Sequence, residues 1–316
     1  MGTLNLTKFV ESVKKEKIDL YQIVIYQDDQ LIAQKHWKEV QRIDIRSGTK
    51  SFCSTAVGFA VEEGLLSLND YVVEHFKDQI PSKPSENLQK MQLKHLLTMT
   101  MGFGQEELMG CQREQMMKVK DWAVYVLSRE VVYHPGDKFL YNNIGPYLIG
   151  LLIQKKSGQS LSEYLKPRLF EPIGIKSVHM REHCPMGYEF GASGLMLDVY
   201  EFAKLGRLYL QDGIWEGKRI LPKGWVKDAT TAKSYTMTTP TLPGYEIYND
   251  NVIGATYGYF FWIGPWGKWY YACGAHDQLC VVVPEKRAVI ATLGHVVKPG
   301  DVTIHLIAKD IIPFLP

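Results

Sequence analysis

Ser47 and Lys50 stand three residues apart at the head of an apolar run, FCSTAVGFAV. On a helix, side chains at i and i+3 share one face. A serine at a helix N-terminus sits where backbone N–H groups and the helix dipole favour developing negative charge. A lysine one turn on, desolvated by apolar neighbours, can lose its proton near neutral pH and take the serine's. The pair therefore has the makings of an activated nucleophile. The same Ser-x-x-Lys spacing recurs at Ser12 and Lys15, inside ESVKKEK, a stretch that reads as a solvated helix face. Only the first copy opens a helix apolar enough to bury its lysine. The plain alternative for Ser47 is a helix N-cap with Lys50 facing solvent.

Tyr141-Asn142-Asn143 lies between the turn HPGDKF and the apolar segment PYLIGLLIQKK, and Tyr-x-Asn occurs nowhere else in the chain. A tyrosine at such a loop-to-helix junction can project into a cleft and relay a proton to a leaving group. Asn143 could hydrogen-bond a substrate amide or the lysine. The alternative is a packed aromatic followed by a capping asparagine. In YYACGAHDQLCVVVP, Gly274 at a strand edge allows close approach to the backbone. An N–H just beyond it could join the N–H of Ser47 in an oxyanion hole.

Other chemistries find no residues to carry them. There is no HExxH, no Cys/His cluster, no GxxxxGK[ST] loop and no GxGxxG, so neither a metal nor a cofactor is expected. His179 and His183 are four apart, but Pro185 and Gly187 argue against a helix there. The five cysteines are odd in number and none has CxxC spacing, which argues against a disulfide framework. Trp262, Trp266, Trp269, Tyr270 and Tyr271 form an aromatic cluster suited to sheet packing, part of which could line an apolar acyl pocket.

The elements that must position these residues are readable along the 316 residues. Residues 5–16 have helical apolar spacing, and YQIVIYQDDQLIAQKHW reads as a hairpin about QDDQ. SGTKSFCSTAVGFAVEEG reads as a buried helix closed by Gly64. Residues 70–210 are mostly helical, with Pro- and Gly-punctuated loops. The alternating runs YGYFFWIG and GKWYYACG, joined by a Pro-Trp-Gly turn, then QLCVVVP and AVIATLG, joined by PEKRA, read as strands. A helix over 301–311 closes the chain. Strands at both ends predict one sheet built from the two termini, with a helical middle inserted. The predicted units are 1–66 with 212–316, the sheet unit, and 67–211, the mainly helical one.

Composition sets outer bounds. With 46% hydrophobic and 22% charged residues the chain is an ordinary globular protein, not a disordered or low-complexity one. A net charge of +2 gives no general case for nucleic-acid or acidic-membrane binding. No signal-like layout opens the sequence and no apolar run is long enough to span a bilayer, so a cytoplasmic location is expected. The expected partner is a small molecule; oligomeric state is not legible.

In this order the three pieces resemble the serine β-lactamase and penicillin-binding-protein superfamily, in its class C-like branch of esterases, DD-peptidases, D-aminopeptidases and nylon-oligomer hydrolases. LKHLLTMTMGF, FEPIGIKSV and GASGLMLDVYEFAKLGRLYLQDGIWEGKRILPKGWV resemble further segments in the same order, so that the likeness covers roughly residues 20 to 295. The resemblance implies an α+β, transpeptidase-like fold. It implies that Ser47 is acylated, Lys50 acts as base and Tyr141 shuttles protons. It gives Asn143 a substrate-binding, lysine-orienting role, and Ala275, after Ala272-Cys273-Gly274, the second oxyanion N–H. Two departures stand out. Ala272 replaces a strand lysine that helps bind substrate carboxylates in β-lactamases and peptidoglycan enzymes. His276-Asp277-Gln278 stands where Gly-Gly-Gln often follows; His276 could replace the lost cation, assist a proton transfer or merely pack. The expected function is hydrolysis of a small ester, amide or peptide through an acyl-enzyme. The alternatives are a β-lactamase or DD-peptidase, and a catalytically silent ligand-binding relative.

Overall fold

The computed structural model describes residues 4–235, 256–264, 267–297 and 302–316. Twelve short or medium strands are described in chain order: β1 Leu20–Gln27, β2 Gln30–His36, β3 Ile43–Asp44, β4 Met196–Leu197, β5 Ile214–Trp215, β6 Lys218–Arg219, β7 Ser234–Tyr235, β8 Thr256–Tyr257, β9 Trp262–Ile263, β10 Tyr270–Gly274, β11 Gln278–Val283 and β12 Ala288–Gly294. Eight of them form one antiparallel sheet in the order β2-β1-β12-β11-β10-β9-β8-β7. β1, from the start of the chain, pairs with β12, from its end, in the register Val24 to Ala291 and Ile25 to Ile290. The sheet is thus built from both termini, as the hairpin patterns at the two ends predict.

Local chemistry explains the turns. Asp28 and Asp29 join β1 to β2 with φ of 49° and 63°, a two-residue connection whose positive φ values match the twist of a hairpin. β1 and β12 read as almost continuous apolar runs because they lie inside the sheet, covered on both faces. β2, at the edge, is mostly exposed. The Pro-Trp-Gly turn before β10 includes Pro265 and Trp266, which lie outside the described residues, as does Asp301 ahead of the last helix.

Two cores flank the sheet. On one face α1 (Thr7–Lys15) and the closing helix Val302–Asp310 pack Phe9, Val13, Ile304 and Ile307 against Ile23, Ile25 and Val281. On the other face lies a larger core containing α2 (Thr49–Glu62) and the helices Ile144–Ser157 and Val199–Leu210. Every residue of α2 from Thr49 to Ala60 is buried, which is why its sequence shows no polar face. Gly64 closes α2 with φ of 68°, a left-handed conformation that glycine adopts without a Cβ penalty. Between residues 70 and 210 loops alternate with helices that are short apart from Ile144–Ser157 and Val199–Leu210, and the 179–183 stretch is not helical.

Candidate active site

Ser47 sits in a single 3₁₀ turn, Arg46–Gly48, that runs directly into α2. Arg46 has a left-handed φ of 52°, a conformation that costs a non-glycine residue on the order of 1–2 kcal/mol. Asp44 holds that turn in place: its Oδ1 accepts from the N–H of Arg46 at 2.7 Å and from that of Gly194 at 3.1 Å. The turn that carries Ser47 is therefore tied both to β3 and to the loop leading into β4.

One turn into α2, Lys50 is 1% exposed. Its Nζ donates to Ser47 Oγ at 2.7 Å and to the Ala192 carbonyl at 3.0 Å. Burial is the main cause that lowers its pKa, to about 7, and the nearby Arg113 charge lowers it further; Cys53, Cys273 and Glu182 oppose. A substantial fraction of the lysine is then neutral at pH 7 and able to accept a proton. The arrangement is incompatible with the solvent-facing lysine of the capping alternative.

Tyr141 lies across from the pair, with Lys50 Nζ 5.0 Å from its ring centroid. Its ring stacks on Trp262 at 5.5 Å and meets Tyr257 edge-on at 6.3 Å. Trp262 stacks in turn on Tyr271. Part of the aromatic cluster therefore fixes the tyrosine rather than only packing the sheet. Trp266 falls outside the described residues.

Asn143 is not brought to the lysine by any hydrogen bond. Its Nδ2 donates to the Leu108 carbonyl at 2.8 Å, and its buried Oδ1 has no hydrogen-bond partner among the described residues. Asn143 is the N-cap residue of the following helix but its side chain makes no cap bond; Asn142 Oδ1 instead accepts from Ile144 N–H at 2.8 Å. The carbonyl of Ala192 orients Lys50 instead.

β10 reaches the Ser47 turn through Gly274. A Cβ at this position would overlap the Ile45 carbonyl and come within 3.1 Å of the Gly48 nitrogen. The close approach predicted for a ligand is thus used by the protein's own backbone, and it sets Ala275, which is exposed, beside the turn that carries Ser47. His276 and Asp277 follow with φ of 67° and 61°. Glycine is the default at such positions; His and Asp are tolerated there better than branched residues. His276 Nδ1 bonds the Val296 carbonyl at 3.0 Å and its ring stacks on His295. Asp277 is buried, and this desolvation raises its pKa despite hydrogen bonds from Thr303. Gln278 secures the turn by donating to the Gly294 carbonyl and accepting from the Gly294 N–H.

A group unmarked by any sequence motif completes the site. Arg113, from the helix Gly110–Met116, donates to Ser193 Oγ at 2.9 Å and pairs with Glu182 at 3.0 Å. Ser193 Oγ in turn donates to Glu182. This triad abuts Ala192, the acceptor for Lys50. No group of three or more His, Cys, Asp or Glu side chains suited to a metal ion occurs among the described residues. No helix among them is long and apolar enough to cross a membrane.

The architecture has many relatives. A putative 6-aminohexanoate-dimer hydrolase from Bacillus anthracis superposes with a TM-score of 0.73 at 20% identity, covering 95% of this chain and 79% of that one. The octameric penicillin-binding protein homologue from Pyrococcus abyssi superposes with a TM-score of 0.74 at 22% identity, covering 96% and 75%. These likenesses show a shared fold. In sequence, the protein flp of Staphylococcus aureus is 26% identical over 168 residues, which is 51% of this chain and 34% of that relative. The chain thus spans about a third of that relative's length. A profile of the Beta-lactamase family matches residues 8–309, from α1 to the closing helix and through every element of the site. With that match over nearly its whole length, the chain belongs to the Beta-lactamase family.

Proposed function

We propose that the protein is a serine hydrolase that cleaves a small ester, amide or short peptide through an acyl-enzyme on Ser47. The observation that carries this reading is the buried Lys50 amine, poised near neutrality and 2.7 Å from Ser47 Oγ. Neutral Lys50 takes the Ser47 proton as Oγ attacks the carbonyl carbon. The N–H groups of Ser47 and Ala275 receive the oxyanion, at the point where Gly274 lets β10 close on the nucleophile turn. Tyr141, held by Trp262, passes the proton to the leaving group, and water then releases the acyl group. On this reading the cleft lies between the sheet unit (1–66 and 212–316), which supplies Ser47, Lys50 and Ala275, and the helical unit (67–211), which supplies Tyr141 and the Ala192 carbonyl.

Family membership favours a second reading, a β-lactamase or DD-peptidase. Against it, the position of the carboxylate-binding strand lysine is filled by Ala272, which is buried. Intact mass after treatment with a fluorophosphonate separates these readings from a silent binder. A stoichiometric adduct on the wild type and none on Ser47→Ala supports the hydrolase; a folded wild type without an adduct refutes it. Neutral p-nitrophenyl esters should then turn over faster than a chromogenic cephalosporin, and the reverse order would favour the second reading.

A further inference from the structure

Behind the β10–β11 turn lies a cavity of about 270 Å³, bounded by the β3–β4 ribbon, the turn before Ser47 and the end of β12. Arg42, Arg46, Arg181, His276 and His295 line it, and Asp44 is the carboxylate in its wall. Arg42 is committed to Glu201 and to the carbonyls of Lys176 and Ser177. Arg46 pairs with Asp44 at 3.3 Å. The Arg181 guanidinium has no ion-pair or hydrogen-bond partner among the described residues. The guanidiniums therefore outnumber the carboxylates facing them by one. Two stacked imidazoles, 4.5 Å between centroids, also line it.

We propose that this cavity binds a small oxyanion, a carboxylate or phosphate group. Arg181 is an exposed residue, and its unpaired positive charge at the wall of a polar concavity favours an anion over an apolar ligand or a cation. Arginine's fork of N–H groups matches carboxylate and phosphate oxygens two at a time. The volume suits an anionic head group rather than a whole nucleotide, since pockets for drug-sized ligands run to about 300–1,000 Å³. Its position gives the anion a route to the chemistry. Arg46 immediately precedes Ser47 and His276 immediately follows Ala275, so an occupant touches the neighbours of both proposed oxyanion donors. The anion can be the charged tail of the substrate or a free ion acting on the turn.

Binding is tested without assuming any hydrolase activity. Inorganic phosphate is titrated into the full chain at constant ionic strength, and the imidazole C–H resonances of His276 and His295 are followed by NMR, with assignment by single His→Gln variants. The exposed His134 serves as the control. The expected result is a saturable shift at His276 and His295 that Arg181→Gln weakens roughly tenfold or more, the loss of one charged hydrogen-bonding partner. Shifts no larger than those of His134, or undiminished binding in folded Arg181→Gln, overturn the proposal. Two esters with the same acyl chain, one ending in a carboxylate and one neutral, then identify the source. Loss of kcat/KM in Arg181→Gln for the anionic ester alone assigns the site to the substrate's tail. An equal phosphate effect on both esters assigns it to a free anion.

Discussion

The chain carries the Ser-x-x-Lys spacing twice, and the two copies meet opposite environments. Ser12 and Lys15 lie on α1, where Ser12 Oγ donates to Asp310 at 2.7 Å and Lys15 stands exposed in solvent. Ser47 and Lys50 lie where a 3₁₀ turn enters a helix buried on every side. The first lysine keeps its water; the second has traded water for one hydroxyl and one carbonyl. Residue types and spacing are the same, so neither makes a nucleophile. The difference is desolvation, which disfavours the charged amine, together with a backbone that aims the amine at the hydroxyl.

The strongest break of this comparison is to exchange the lysines for methionine. Lys50→Met should lower acyl transfer by about 10⁴-fold or more, as loss of a member of a catalytic unit does, while Lys15→Met leaves the rate unchanged. Stability should move the other way. The folded state holds Lys50 near 7 and the unfolded chain near its ordinary 10.5, so the unfolded state binds more protons between those values. The penalty of keeping the lysine is then fully present below pH 7 and fades as pH rises towards 10.5. Thermal melts should show Lys50→Met more stable than wild type at pH 6, with the gap narrowing as pH rises. Lys15→Met should show no such gap.

Tyr141→Phe comes next. It keeps the stack on Trp262 and removes the phenol, so steady-state kinetics should show kcat lower by about 10²–10⁴-fold, the range of general acid–base catalysis, with little change in thermal stability. Gly274→Ala should lower kcat/KM by about 10²–10³-fold, comparable to losing one oxyanion donor, because its Cβ would push β10 off the Ile45 carbonyl. The smallest effect is a shift rather than a loss. Arg113 disfavours the charged form of Lys50, and Glu182 favours it. Arg113→Gln removes the first influence and leaves the second unpaired, so the rising limb of the pH–rate profile should move to higher pH, and Arg113→Lys should move it back.

What could be read in the sequence follows from where the information resides. Ser47, Lys50 and the apolar run behind them share one helix, so local spacing carries them. The β1–β2 and β11–β12 hairpins announce themselves by their apolar runs and by the turn residues QDDQ and PEKRA. The acceptor that fixes Lys50 is a backbone carbonyl 142 residues away, and a carbonyl has no side-chain signature. Arg113, from the helix Gly110–Met116, and Glu182 and Ser193, from loops, are ordinary surface residue types until the fold joins them. The resemblance places Asn143 beside the lysine, yet the backbone entering helix Ile144–Ser157 turns its amide nitrogen to Leu108. The positive φ values of His276 and Asp277 are likewise not announced by their residue types.

The central claim is that burial, not spacing, arms Ser47 through Lys50. Its most direct test is the rate of fluorophosphonate adduct formation on the intact protein, read by mass spectrometry from pH 5 to 10. The account predicts a rate that rises through an apparent pKa of about 7 in wild type and stays unchanged in Lys15→Met. It also predicts no adduct in Ser47→Ala. A rate with no inflection near pH 7 that is still climbing at pH 10, towards the ordinary lysine value of 10.5, or an adduct that survives in Ser47→Ala, would contradict it.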